Sequence, residues 1–268
     1  MNIHPTAIVS PSARLGENIE VGPGAIIEAG AKIGSGCVIQ AHAVIEGTAT
    51  LGDHNLVGYG SIIGSAPQDL SHTSAITSRV VIGNHNSIRE HVTIHRGSKE
   101  GGVTRVGDHC FLMTGSHLAH DVIVGNQVII TNNVLLAGHI EVGDGAVLGG
   151  GSVFHQFIRI GRNVMVSGGL GFRSDIPPFT MAGAFNMLTG LNTIGLRRSG
   201  IDSNTRLALK VAYKRVFLGV KPRSVAVQEA LAEATCPEVR EFLEFITSSK
   251  RGCCMARMRN SDALRDKD

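Results

Sequence analysis

The chain has 268 residues, 34 of them glycine, no tryptophan and only 4% aromatics. Its 25 Lys+Arg against 22 Asp+Glu leave a net charge of +3, too slight an excess to argue for a nucleic-acid partner. No apolar run is long enough to span a bilayer, which speaks against stable membrane insertion. Five cysteines lack ligand-like spacing, so a reducing, cytoplasmic setting is expected. The first residues, Met1-Asn2-Ile3-His4-Pro5, enter a repeat at once and read as having no signal peptide.

From Val9 every sixth residue is a large aliphatic: Leu15, Val21, Ile27, Ile33, Ile39, Ile45, Leu51, Val57, Ile63. The series resumes at Ile82, Ile88 and Ile94, and again from Val106 to Val166, with Phe154 its one aromatic. No helix and no alternating strand has period six. The pattern predicts a parallel β-helix in which three hexapeptides close one triangular coil of 18 residues. The aliphatic should fill the prism. Ala25, Ala31, Cys37, Ala43 and Ala49, two places earlier, should turn inward near a corner. Glycine directly after the aliphatic, as at Gly16, Gly22 and Gly34, is expected to take φ > 0 at the corner. Residues 18 apart should stack on successive coils, about 4.8 Å away.

Two internal breaks interrupt the series. Residues 65–79 put it out of phase by one; residues 95–105 replace one hexapeptide without losing phase. Both are expected to project as loops and to carry function. After Val166 the chain passes Pro177-Pro178 and the period ends. The expected division is a solenoid over 1–184, an α-helical part over 185–248 and a basic tail over 249–268. Asp202 or Ser203 should cap a helix running to about Phe217. A second helix is expected from about Ser224 to Ala234 and a third from Pro237 to Ser248. Cys37 and Cys110 read as packing residues, and Cys253-Cys254 as incidental in a polar tail. Charge divides unevenly. Residues 1–184 hold 10 Lys+Arg and 13 Asp+Glu, whereas residues 185–268 hold 15 and 9. The basic end could attract an acidic partner.

The stacking rule then gathers chemistry. Ser116-His117-Leu118-Ala119-His120-Asp121, Leu136-Ala137-Gly138-His139 and Phe154-His155-Gln156-Phe157 fall on three consecutive coils. His120 should stack on Gly138, Gly138 on Gln156, and Asp121 on His139. None of these histidines holds the inward position. An exposed histidine is a ready general base near neutral pH, and the Gly138 N–H one coil away could stabilise an oxyanion. Base plus oxyanion donor points to acyl transfer to a hydroxyl. No serine or cysteine has a base partner at readable spacing, which favours direct transfer over a covalent intermediate.

With Arg89-Glu90-His91-Val92-Thr93-Ile94-His95-Arg96-Gly97, Gln68-Asp69-Leu70, Asn192 and Gly195-Leu196-Arg197-Arg198, these motifs closely resemble the UDP-N-acetylglucosamine 3-O-acyltransferases of lipid A biosynthesis. The resemblance covers about residues 3–248. It implies a left-handed helix, no cofactor and a homotrimer with sites between subunits. It also implies transfer of a 3-hydroxyacyl chain from acyl carrier protein to the glucosamine 3-hydroxyl. His120 matches the general base, Asp121 its orienter and Gly138 the oxyanion donor. Gln68 and Asp69 match sugar-hydroxyl contacts. His117, His139 and Gln156, with His155 beside them, match further substrate contacts. Asn192 and Arg198 match the nucleotide end. Gly168 matches the position limiting acyl length, where glycine leaves room for a longer chain. The chain departs from the family at Ser71-His72, Gly115-Ser116, Ala184-Phe185 and Ile194. All four lie toward the sugar nucleotide, so a diamino-sugar acceptor is the alternative. The pathway's N-acyltransferase carries an N-terminal domain absent here, and acetyl-CoA-dependent sugar O-acetyltransferases lack the histidine set. A γ-type carbonic anhydrase, with His95, His117 and His120 on zinc, and a non-enzymatic scaffold are the readings from other classes.

Overall fold

A computed structural model describes residues 1–256. The chain winds as a left-handed parallel β-helix and ends in helices. Strands of mostly two residues alternate among three flat faces. The first face begins at Asn2–Ile3, the second at Ile8–Val9 and the third at Arg14–Leu15. The repeat closes because stacking removes its aliphatics from water: Val21, Ile27, Ile33, Ile39 and Ile45 are each at most 3% exposed. Each such burial contributes about 1.5–3 kcal/mol. The small residues two places earlier are buried as expected, with Ala25, Ala31, Cys37 and Ala43 at 0%.

The bend falls elsewhere than the glycine pattern suggests. It lies three residues after the aliphatic, where Asn18, His42, His54, Asp121, Gln127 and His139 have φ between 53° and 60°. Asn, Asp and His are the non-glycine residues most at home in that region. Glycine directly after the aliphatic answers a close approach instead. A Cβ on Gly16 would sit 2.6 Å from Ser35 N, and one on Gly22 2.8 Å from Ala41 N.

Both internal breaks are insertions at one corner. The first lies between the second-face strand Ile62–Ser65 and the third-face strand Arg79–Ile82. The second lies between Thr93–His95 and Val103–Val106, the same two faces one coil later. The second loop therefore does not replace a hexapeptide; it adds six residues to a complete coil, so Ile94 pairs with Leu118. On the following coil the same corner, between His117–Leu118 and Ile123–Val124, holds His120 and Asp121.

Beyond Val166 the first face continues through Thr180–Ala184, which turns back antiparallel as Met187–Leu191. The expected division at 184/185 falls in this hairpin's turn. Four helices follow among the described residues: α1 (Thr193–Arg198), α2 (Ser203–Phe217), α3 (Arg223–Ala232) and α4 (Pro237–Thr247). Asp202 caps α2, its carboxylate accepting from Asn204 N and Thr205 N. Sequence reasoning missed α1, and α3 and α4 end slightly before their expected limits. Leu209, Tyr213, Val216, Phe242 and Leu243 form the helices' apolar contact.

The start of the expected tail is packed. Met255–Ala256 adds a parallel strand to Met187–Leu191. Ser249 Oγ donates to Asp175 Oδ2 at 2.8 Å, and Cys254 N to Asp175 O at 2.9 Å. Cys253 and Cys254 are 8% and 1% exposed, so they are packing residues rather than incidental ones. The rest of the expected tail, 257–268, lies outside the described residues. Among the described residues no helix is long and apolar enough to cross a membrane.

Candidate active site

Asp121 is placed by its backbone before its side chain acts. It occupies the left-handed corner position, with φ 60°, and its N–H donates to Thr104 Oγ1 at 2.8 Å. Its Oδ2 accepts from Ser98 N at 2.9 Å, from Ser98 Oγ at 2.6 Å and from His120 Nδ1 at 2.9 Å. Burial alone would raise the carboxyl's pKa, but the Ser98 and His120 hydrogen bonds hold it below the usual carboxylate range. An ionised Asp121 requires the proton on Nδ1 of His120. The Nε2 lone pair is then left free as a proton acceptor. The two side chains are 15% and 14% exposed.

His120 lies against Gly138 on the next coil. A Cβ there would meet His120 Cε1 at 2.5 Å and Nε2 at 2.7 Å, so only glycine lets the ring lie flat. The Gly138 carbonyl accepts from Phe157 N at 3.0 Å, while no described residue accepts from the Gly138 N–H. A backbone donor thus stands beside a basic nitrogen at the mouth of a cleft of about 360 Å³. The cleft is lined by Gln68, His95, His117, His120, Gly138 and Gln156, and by an apolar wall that includes Ala119, Leu135, Ala137 and Val153. Leu135 and Val153 are 45% and 44% exposed. This wall follows the second face and suits a hydrocarbon chain.

His117 faces the cleft with Nδ1 at 2.7 Å from Thr93 Oγ1 and its ring edge-on to His95. Burial, and then the neighbouring His95, press its pKa down to about 4, so it is neutral at neutral pH. His95 Nδ1 donates to Ala66 O at 2.5 Å, which ties the two loops together. His139 stacks on Phe157 at 4.5 Å, and its Nε2 lies 3.7 Å from Asp121 Oδ2. Burial lowers its pKa against the pull of Asp121.

The remaining sequence candidates are dispersed. Gln68 reaches the cleft. Asp69 is exposed on the first loop, its carboxylate bonded to Ser71 N and Oγ, both at 2.8 Å. Those bonds hold its pKa low. His155 is exposed, with Nδ1 against Gln156 O at 3.1 Å, and does not line the cleft. Gly168 lies across the second face, at the corner between Met165–Val166 and Gly171–Phe172, where a Cβ would meet Gly150 O at 2.8 Å. Asn192 is 9% exposed and caps α1: its Oδ1 accepts from Gly195 N and its Nδ2 donates to Asn163 O, both at 3.0 Å. Arg198 is exposed in the last turn of α1. Neither Asn192 nor Arg198 lines the His120 cleft of its own chain.

Sequence reasoning missed Ser98 and Thr104. The signal lay in the second break, but the insertion moves Ser98 out of the 18-residue register with Asp121. Within this one chain His95, His117 and His120 do not converge as a metal-ligand group among the described residues. Among the described residues the donors that do converge, within 4.8 Å, are His120, Asp121 and His139. Their common atom, Asp121 Oδ2, already accepts three hydrogen bonds.

A prism of hexapeptide coils carrying a carboxylate-backed imidazole over an apolar cleft defines a hexapeptide-repeat transferase. Residues 104–138 match the family model for bacterial transferase hexapeptides, and residues 175–254 match that for UDP-N-acetylglucosamine O-acyltransferase, domain 2. An acyl-[acyl-carrier-protein]–UDP-N-acetylglucosamine O-acyltransferase of Myxococcus xanthus is 47% identical, covering 93% of this chain and 98% of its own. One of Halorhodospira halophila is 44% identical over the same shares of the two chains. Among solved structures, the UDP-N-acetylglucosamine acyltransferase from Bacteroides fragilis superposes with TM-score 0.91 at 38% identity, covering 94% of this chain and 99% of that one. That from Campylobacter jejuni gives TM-score 0.90 at 36% identity, covering 96% and 100%. The chain belongs to the UDP-N-acetylglucosamine O-acyltransferase family.

Proposed function

We propose that the chain transfers a 3-hydroxyacyl group from acyl carrier protein to the 3-hydroxyl of UDP-N-acetylglucosamine, the first step of lipid A biosynthesis. The observation that carries this reading is the Asp121–His120 pair beside the Gly138 backbone, whose N–H no described residue accepts from. His120 Nε2 takes the proton of the sugar hydroxyl as its oxygen attacks the thioester carbonyl. The tetrahedral oxyanion is held by the Gly138 N–H. Its collapse expels the carrier's sulfur, which recovers the proton from His120. Asp121 stays ionised and stabilises the imidazolium formed on the way. Gln68, Asp69, His117, His139 and Gln156 hold the acceptor sugar. The exposed wall at Leu135 and Val153 receives the acyl chain, and Gly168 sets its length. The step draws on a carrier protein and a sugar nucleotide, and it takes place in the cytoplasm.

The assembly is a homotrimer. Outward residues on the first face include Val38, Leu56, Phe111, Ile129 and Val147, and on the second Ile26, Val44, Ile62, Leu135 and Val153. On the third face they include Arg14, Lys32, Arg105, Glu141 and Arg159. Two apolar faces and one polar face per prism suit three prisms around an axis. A neighbour's α1 would then bring Arg198 to the nucleotide, with Asn192 anchoring that helix. The basic C-terminal part receives the acidic carrier.

The deciding experiment is an acyl-transfer assay on purified protein with UDP-N-acetylglucosamine, a diamino-sugar counterpart and a panel of 3-hydroxyacyl carrier proteins, read by mass spectrometry. The expected product is UDP-N-acetylglucosamine heavier by one hydroxyacyl group. His120→Ala is expected to abolish transfer and leave the fold intact. Retained turnover in that variant would remove His120 as the base.

A further inference from the structure

We propose that Ser98 is a positioning residue for the His120–Asp121 pair, and that the six-residue insertion carrying it is a clamp on the Asp121 carboxylate. The inference rests on the reading of His120 as the base. Two of the three donors on Asp121 Oδ2 come from this one residue, its N–H at 2.9 Å and its hydroxyl at 2.6 Å. The third is His120 itself. Ser98 is 9% exposed, so water competes poorly for these bonds.

The other carboxylate oxygen is enclosed by the base of the same loop. A Cβ on Gly97 would lie 2.8 Å from Asp121 Oδ1, and one on Gly102 would lie 3.0 Å from it. Glycine at both positions lets the loop close over the carboxylate. The loop is itself fastened: Gly101 N donates to Thr77 O and Thr77 N to Glu100 Oε2, both at 2.8 Å, while Arg79 N donates to Gly102 O at 3.0 Å. With Oδ2 held by three donors and Oδ1 enclosed by the loop, rotation of Asp121 is restrained. The Nδ1–H bond then fixes the ring, and Nε2 keeps one direction toward the cleft. The Ser98 donors also share the carboxylate's charge, which tempers how strongly Asp121 favours the imidazolium.

The test compares Ser98→Ala with Ser98→Thr in the full chain. In Ser98→Ala, kcat should fall about tenfold or more while the KM for sugar nucleotide stays within about twofold. The acid limb of kcat/KM should move to higher pH, because Asp121 then rests its charge on His120 with less sharing. Ser98→Thr, which keeps the hydroxyl, should restore both. Gly102→Ala, crowding Oδ1 from the opposite side, should also lower kcat with KM unchanged. Proton NMR of histidine-labelled protein supplies a readout free of turnover. A downfield His120 Nδ1 proton is expected in the wild type, moved in Ser98→Ala and recovered in Ser98→Thr. An unmoved pH limb and an unmoved Nδ1 proton in Ser98→Ala would overturn the proposal. So would equal loss in the alanine and threonine variants. Failure of the parent reading would look different, with wild-type protein inactive or His120→Ala active.

Discussion

Histidine 117 shows how little a residue's name says without its surroundings. Its imidazole is held neutral by burial, with a pKa near 4 against the ordinary 6.5. The unfolded chain takes up that proton first as pH falls, so His117 favours folding fully above about pH 6.5 and less on descent toward pH 4. Thermal unfolding from pH 7 to pH 4 should show stability falling with pH, and His117→Asn should flatten that slope. An unchanged slope would assign the acid sensitivity to other groups. His120, Asp121 and Gly138 were legible because all three obey the 18-residue register. Ser98 was not, because an insertion separates it from that register. The abundance of histidine misleads for a different reason. His42, His54, His85, His91 and His109 occupy the left-handed corner positions. His54, His85 and His109 stack there at 4.9 and 5.0 Å between centroids, at the corner between the third and first faces rather than the one that holds His120. Their service is conformational.

Among elements, the terminal strand Met255–Ala256 was hidden because it belongs to no repeat and is only two residues long. What fixes the segment leading to it is a buried carboxylate. Asp175 is 1% exposed and accepts from Arg159 N at 2.8 Å and Arg159 Nε at 3.3 Å, as well as from Ser249 Oγ. Asp175→Ala leaves these donors unpaired and should cost about 3 kcal/mol in chemical denaturation. It should also speed amide exchange over residues 249–256 before the prism is affected. Helix α2 was legible from Asp202, whose side chain supplies the cap. Helix α1 was not, since six residues give too short a pattern to stand out from the hairpin before it.

At the scale of the whole molecule, the hexapeptide period was enough to give the prism, because aliphatics recurring every six residues fit neither the 3.6-residue period of a helix nor the two-residue period of an alternating strand. Which faces stay wet is a separate property, carried by the residue just before each aliphatic. Phe111→Lys or Ile129→Lys, placing a cation on the apolar first face, should break the assembly into smaller species by light scattering. Ile123→Lys, on the polar third face, should leave it whole. Dissociation by the third-face change, or none by the first-face changes, would contradict the proposed trimer.

Two successive coils put their extra residues at one corner, and the prism resumes its register after each. The frame is therefore indifferent to what is inserted there. A longer or shorter first loop alters what hangs over the cleft, whereas the second reaches the imidazole through Ser98 and Asp121. On the function proposed above, acceptor preference and chemical competence are thus written in separate insertions. The first can drift through lengthening and shortening after Ser65 while the second stays still. A lineage built on this frame could exchange one sugar for another by editing the overhang alone.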